Sequence, residues 1–199
     1  VAYLGKNATW SHGHRLDSFD GICFEYNANG IRTKKTNGSD VTKFILDGDR
    51  IVATQNTSSS GSSTMKFYYG ADGLTAFESS GNKYFYQKNI FGDIIGIYDN
   101  NFNWVARYVY DAWGNCKVVD EDGSELIYDP TSIAHKNPFR YRGYYYDRET
   151  GFYYLNARYY DPQIGRFICP DSIEYLDPTT INGLNLCAYC ANNPVMYSD

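Results

Sequence analysis

One unit recurs along the first two-thirds of the chain and constrains its fold more than any other feature. An aromatic residue is followed by two to four turn-forming residues that include Gly or Asn, and then by a short apolar run. The unit reads as FEYNANGIRTKKT, FILDGDRIVATQ, FYYGADGLTAFE, YFYQKNIFGDIIGIY, IYDNNFNWVARY and YVYDAWGNCKVV. Its first Tyr, or the residue standing in that place, is Tyr26, Leu46, Tyr69, Tyr86, Tyr98 and Tyr110, a spacing of 12 to 23 residues. A repeat this loose cannot stack as identical blocks, but each copy can form a strand, a turn and a strand.

The turn residues support that reading. Asn29-Gly30, Asp47-Gly48, Asp72-Gly73, Gly92-Asp93 and Gly114-Asn115 are hairpin signals flanked by alternating apolar residues. The 21 Tyr suit a pleated, half-buried surface, and no sustained 3.6-residue period appears. One short helical turn is expected around Gly183 to Asn192. The chain is therefore expected to be all-β, an antiparallel hairpin meander. Ser58 to Thr64 (SSSGSST) is expected to be a mobile loop within one sheet, with a domain linker as the alternative.

After Asp120 the pattern dissolves into a polar connection, and from Asn137 the character changes. Eight of the twenty residues from Tyr141 to Tyr160 are Tyr, with turns at Asp147 to Gly151 and Asp161 to Gly165. Two domains are expected: a repeat segment over 1–136 and a Tyr-dense segment with a less regular tail over 137–199.

Several function classes fit poorly. Net charge is −5 with both signs scattered, so there is no basic track for nucleic acid. No run reaches the ~18–20 apolar residues of a membrane helix. The chain opens at Val1 and reads as a piece of something longer. Cys187 and Cys190 form a lone CxxC without the further ligands a zinc site requires. They are expected to be buried thiols, with no metal and no cofactor. No nucleophile elbow and no phosphate-binding glycine pattern is present; Gly143, Gly151 and Gly165 read as turn glycines. The arginines at 140, 142, 148, 158 and 166 are interleaved with Tyr, and are expected to stack on rings rather than to bind anions or sugars.

The stretch RYRGYYYDRETGFYYLNARYYDPQIGRFICPDSIEYLDPTTINGLNLCAYCANNPVMYSD resembles the Rhs repeat-associated core domain almost end to end. Upstream, FEYNANGIR and RYVYDAWGN resemble the YD repeats of the same family. The resemblance implies a bacterial β-strip wound as a spiral shell, secreted or at the cell surface. Its core domain plugs one end, and a toxin-like cargo is enclosed. Further YD repeats of the same chain would be partners, and open sheet edges could pair with a second copy.

In several such proteins the core is an aspartyl self-protease that cuts after a DPxG motif. That chemistry needs two carboxylates sharing a proton. Asp171, after GRFICP, matches the family's aspartate, and Asp177 is the nearest second acid; both are equally readable as turn residues. The sequence ends at Asp199, where the DPxG motif would begin, so this segment is expected to be inert towards itself. The family commonly has Tyr where Cys187 stands and a small polar residue at Cys169. A structural shell and plug, a self-cleaving protease and a glycan- or partner-binding surface remain open. Buried or inter-strand tyrosines would favour the shell, and a contiguous exposed patch would favour binding.

Overall fold

The computed structural model describes residues 2–12, 15–156, 158–171 and 184–197. Thirteen strands follow one another in chain order. The first five are β1 (Ala2–Tyr3), β2 (Lys6–Ser11), β3 (Arg15–Phe19), β4 (Ile22–Tyr26) and β5 (Arg32–Asn37). Next come β6 (Asp40–Asp47), β7 (Arg50–Ser58), β8 (Gly61–Gly70), β9 (Gly73–Ser79) and β10 (Asn82–Lys88). Then follow β11 (Ile94–Tyr98), β12 (Trp104–Tyr110) and β13 (Cys116–Val119). A separate four-stranded sheet holds β14 (Tyr145–Asp147), β15 (Phe152–Leu155), β16 (Arg158–Asp161) and β17 (Arg166–Phe167). The all-β antiparallel meander is as expected. The chain divides into two compact units: Val1–Gln87 with Tyr98–Asn103, and Lys88–Ile97 with Trp104–Asp199.

In the first unit the strands alternate between core and solvent, as a one-sided antiparallel sheet should. β4 buries Ile22 and Phe24 and exposes Cys23 and Glu25; β8 buries Met65 and Phe67 and exposes Lys66. Phe19, Phe44 and Phe77 complete this phenylalanine-rich core. Each such side chain stabilises by roughly 1.5–3 kcal/mol relative to exposure.

The repeat has a backbone signature that its sequence does not show. Register shifts fall between Glu25 and Tyr26, between Ile45 and Leu46 and between Tyr68 and Tyr69. These are the repeat's aromatic positions or the residue in that place. A bulge twists the strand and re-aims one side chain. Here the re-aimed Tyr26 hydroxyl donates to the Leu16 carbonyl at 2.6 Å, and that of Tyr69 to the Ile51 carbonyl at 2.9 Å. Each tyrosine is thereby pinned to the strand before its own.

In three repeats the residue directly after the aromatic opens a five-residue turn, and in the fourth, at Asn89, it follows Lys88. Asp99 Oδ1 accepts from the backbone N–H of Asn101 and Asn103 at 2.8 and 2.9 Å, and Asn103 Nδ2 donates to Asp99 Oδ2 at 3.0 Å. Asp111 holds Trp113 and Asn115 in the same way, and Asn27 and Asn89 open matching turns. The fourth position has positive φ and is Gly30, Gly92 or Gly114, but Phe102 in the 99–103 copy.

All five hairpin signals fall at strand junctions. Ser58 to Thr64 is not a loop: β7 and β8 run through it, leaving only Ser59 and Ser60 as the turn. Hydroxyl pairs such as Ser58–Ser60 at 2.8 Å stabilise this polar ribbon. The polar connection ends in one helical turn, Ile133–Lys136, capped by Ser132, which the sequence did not signal. Of the helical turn expected at Gly183 to Asn192, a 3-10 turn at Cys190–Asn192 is present; Gly183 lies outside the described residues. Cys190 is buried and Cys187 is half-buried. No helix among the described residues is long and apolar enough to cross a membrane.

Candidate functional site

Within the second unit, the Tyr-dense sheet packs onto the last repeat turn, Asp111 to Asn115. Three tyrosine hydroxyls donate to three successive carbonyls of that turn. Tyr141 reaches Ala112 at 2.8 Å, Tyr160 reaches Trp113 at 2.7 Å and Tyr153 reaches Gly114 at 2.9 Å. A turn has spare carbonyl acceptors and a buried phenol requires one, so each side satisfies the other. Asn115 Nδ2 adds a bond to the Pro162 carbonyl at 3.1 Å.

The approach is close enough to exclude a side chain at two glycines. A Cβ on Gly114 would lie 2.6 Å from the Tyr141 ring, and one on Gly165 would lie 2.6 Å from the Trp113 ring. Above the turn, Tyr141, Tyr153, Tyr160, Phe167, Tyr189 and Cys190 form one buried cluster. The Tyr160 and Tyr189 ring centroids are 4.1 Å apart. Burial pushes the Tyr110, Tyr153 and Tyr160 phenols well above their ordinary range, so all three stay neutral donors.

Four of the five interleaved arginines stack as the sequence suggested, and the fifth, Arg166, is exposed. Arg140 lies over the rings of Tyr108 and Tyr146, Arg142 over Phe91, Arg148 over Tyr128 and Arg158 over Phe167. Arg140 is 5% exposed and is held by the carbonyls of His135 and Asn137. Its surroundings are therefore carbonyl oxygens and ring faces, a packing role rather than an open anion site.

Asp171 sits where β17 gives way to the tail. Its backbone N–H donates to the Leu186 carbonyl at 3.0 Å, and its carboxylate meets Arg158 Nη1 at 2.8 Å. Arg158 in turn lies 3.6 Å from the Phe167 ring centroid, so ring and carboxylate fix the guanidinium from two directions. Nearby, burial pushes the Cys169 thiol up to about 11. Asp177, the second candidate acid, lies outside the described residues. The Arg158–Asp171 pair spans two elements and had no signal in the sequence. The three carbonyl acceptors of the last turn were equally hidden, because acceptor backbone carries no residue code.

This architecture of hairpin turns with a tyrosine-rich sheet docked on one of them has counterparts. The family described as Teneurin YD-shell matches residues 12–195. The chain belongs to the YD-shell family. Among curated relatives, the tRNA nuclease WapA of Bacillus subtilis is 40% identical over 177 residues, which is 88% of this chain and 7% of that protein. The tRNA3(Ser)-specific nuclease WapA of Bacillus spizizenii is 38% identical, with the same coverage. This YD-shell chain thus spans under a tenth of the length of those relatives. Among solved structures, TcdB2-TccC3-Cdc42 superposes with a TM-score of 0.70 at 20% identity, over 98% of this chain and 10% of that one. The Photorhabdus luminescens Tc holotoxin pore gives 0.63 at 19%, over 100% and 10%. At that identity the structures establish the YD-shell fold alone.

Proposed function

We propose that this chain is the last stretch of wall and the end plug of a much longer, secreted bacterial YD-shell protein that encloses a polypeptide cargo. Residues 1–136 serve as wall and 137–199 as plug. The observation that carries this reading is the donation of three tyrosine hydroxyls into the last repeat turn. It commits the Tyr-rich surface to internal closure, so the rings of the 141–160 segment are not a contiguous exposed face for glycans. Relatives named as tRNA nucleases, and one named as a double-stranded DNA deaminase toxin, support an enclosed toxin as the cargo. Further YD repeats would continue the wall before residue 1. Residues Glu125 and Leu126 partly cover the outer edge of β13, so pairing with a second copy would use the other end of the meander.

The test is protease protection of the full-length parent. The cargo should resist digestion while the wall is folded and become cleavable once denaturant opens it. A cargo digested as fast in the native protein as in the denatured one would overturn the reading.

A second reading has its own observation, the fixed Arg158–Asp171 pair. It gives one oriented carboxylate beside the tail, suited to be half of a self-cleaving pair with Asp177 as the candidate partner. In a chain extended through its native downstream residues, Asp171→Asn should abolish shortening of the chain near neutral pH. Undiminished shortening would leave Asp171 a turn residue. Asp177→Asn with cutting retained would remove Asp177 from the pair.

A further inference from the structure

Among the five-residue turns, the copy at Asn89 to Asp93 is inverted. At 99–103 and 111–115 an Asp opens the turn and an Asn closes it; at 89–93 Asn opens and Asp closes. The turn itself is unchanged. Asn89 Oδ1 accepts from the N–H of Phe91 and of Asp93, both at 3.0 Å, and Asn89 Nδ2 donates to Asp93 Oδ2 at 2.6 Å. What moves is the negative charge, from the start of the turn to its end.

At the end of the turn that charge meets Arg142. Asp93 Oδ1 accepts from the Arg142 backbone N–H at 2.8 Å and lies 3.7 Å from Arg142 Nε. Both side chains are about nine-tenths buried, at 7% and 10% exposure. The rest of the guanidinium is directed elsewhere. Nη2 donates to the Pro194 carbonyl at 2.7 Å and Nη1 to the Phe91 carbonyl at 3.5 Å, with the Phe91 ring centroid 4.6 Å away. Arg142 itself has φ of 52°, a left-handed conformation that a non-glycine residue adopts only under constraint from its surroundings. Gly92 and Gly143 flank the contact, both at positive φ, 87° and 70°, which glycine adopts without strain.

We infer that the inverted turn is a docking turn. It places a carboxylate where the copies at 99–103 and 111–115 have an amide, and that carboxylate aims Arg142 at the Pro194 carbonyl. Arg142 is thus the positioning residue for the C-terminal Asn193–Tyr197 segment. The regular turn at 111–115 receives the second sheet; this one selects where the tail is held. The cleft beside it, about 400 Å³ and lined by Phe91, Asp93, Arg142, Pro194 and Val195 among others, is the space left between turn and tail. The inference stands without the cargo reading, because it concerns only how this chain fixes its own tail.

The test restores the ordinary order. The double variant Asn89→Asp with Asp93→Asn keeps the pattern that already works at 99–103 and 111–115. It also keeps an oxygen for the Arg142 N–H, while moving the charge away from the guanidinium. Amide hydrogen exchange is then read at Met196 and Tyr197, whose N–H groups bond Asn193 in the native chain, and at Tyr153 and Tyr160 in the second sheet. The swap should speed exchange at the tail about three- to tenfold, and Arg142→Met should do so more strongly, with the Tyr153 and Tyr160 amides unchanged in both. Arg142→Lys, which keeps charge but loses the fork, should fail to restore protection. Unchanged tail exchange in the swap would overturn the proposal. Equal loosening of tail and sheet would also overturn it, since that would make the pair part of general packing.

Discussion

The two units use aromatic residues in different ways. The first buries phenylalanines, Phe19, Phe24, Phe44, Phe67 and Phe77, and disperses its tyrosine hydroxyls. Tyr26 and Tyr69 each bond the preceding strand, and Tyr68 bonds Glu78 on the next. The second buries tyrosines and converges three hydroxyls on one turn. Phenylalanine is non-directional, so a wall built on it tolerates the irregular repeat spacing seen here. Buried tyrosine requires an acceptor at one place, so a sheet built on it fits one partner surface. The difference separates a core that tolerates variable spacing from one that fits a single partner.

The sharpest way to break the comparison is alkali. A phenol whose pKa is raised on folding contributes stability that is intact below the unfolded value near 10 and is lost as pH rises through the folded one. In the first unit, Tyr69 is pushed up to about 12 by burial. In the second, Tyr110, Tyr153 and Tyr160 are raised further, and they share one cluster. The second unit should therefore unfold cooperatively as pH climbs above about 10, several phenols ionising together. Gradual tyrosinate absorbance without loss of structure would contradict this.

Next in size is crowding at glycine. Gly165→Ala drives a Cβ into the Trp113 ring at positive φ, whereas Gly38→Ala in the first unit has positive φ but nothing within 4 Å. The first should cost about 3 kcal/mol, overpacking added to backbone strain, and the second only about 1. Chemical denaturation of both variants would check the ratio; equal losses would mean that the tight approach is not a constraint.

Removing single hydroxyls should have a smaller effect. Tyr153→Phe leaves the buried Gly114 carbonyl without its donor and should cost about 1–3 kcal/mol. Tyr69→Phe, at a half-buried site, should cost about 1 kcal/mol or less. The smallest expected effect is of opposite sign. Phe102 occupies the positive-φ slot that is glycine at 30, 92 and 114, and it is 79% exposed. Phe102→Gly should be neutral or stabilising by up to about 1 kcal/mol, with its stacking on Phe85 as the main loss. A clear destabilisation would show that this ring pair matters to the wall.

These contrasts also mark what was legible beforehand. Hairpins were readable because Asn-Gly and Asp-Gly pairs carry their turn geometry in the residue type. The 99–103 turn was missed as a hairpin signal because Phe102 stands where a glycine would announce it. Bulges at Tyr26 and Tyr69 were invisible because they break the alternation by which strands are recognised. At the site, Asp171 was found through resemblance, but its partner Arg158 was not, since pairing across elements follows from register alone. The inverted Asn89–Asp93 turn was in plain view as letters and acquired meaning only beside Arg142.

The direction in which the tyrosines reach has a consequence for order in time. Tyr26, Tyr69 and Tyr110 each bond a carbonyl earlier in the chain, as do Tyr141, Tyr153 and Tyr160; Tyr108, bonding Ala134, reaches forward. A strand emerging from a ribosome or a secretion channel therefore meets an acceptor that is already in place. The wall can set hairpin by hairpin from its N-terminal side, without waiting for the later strands. The 141–160 segment arrives after the last turn has offered its carbonyls, so closure is a late event by construction.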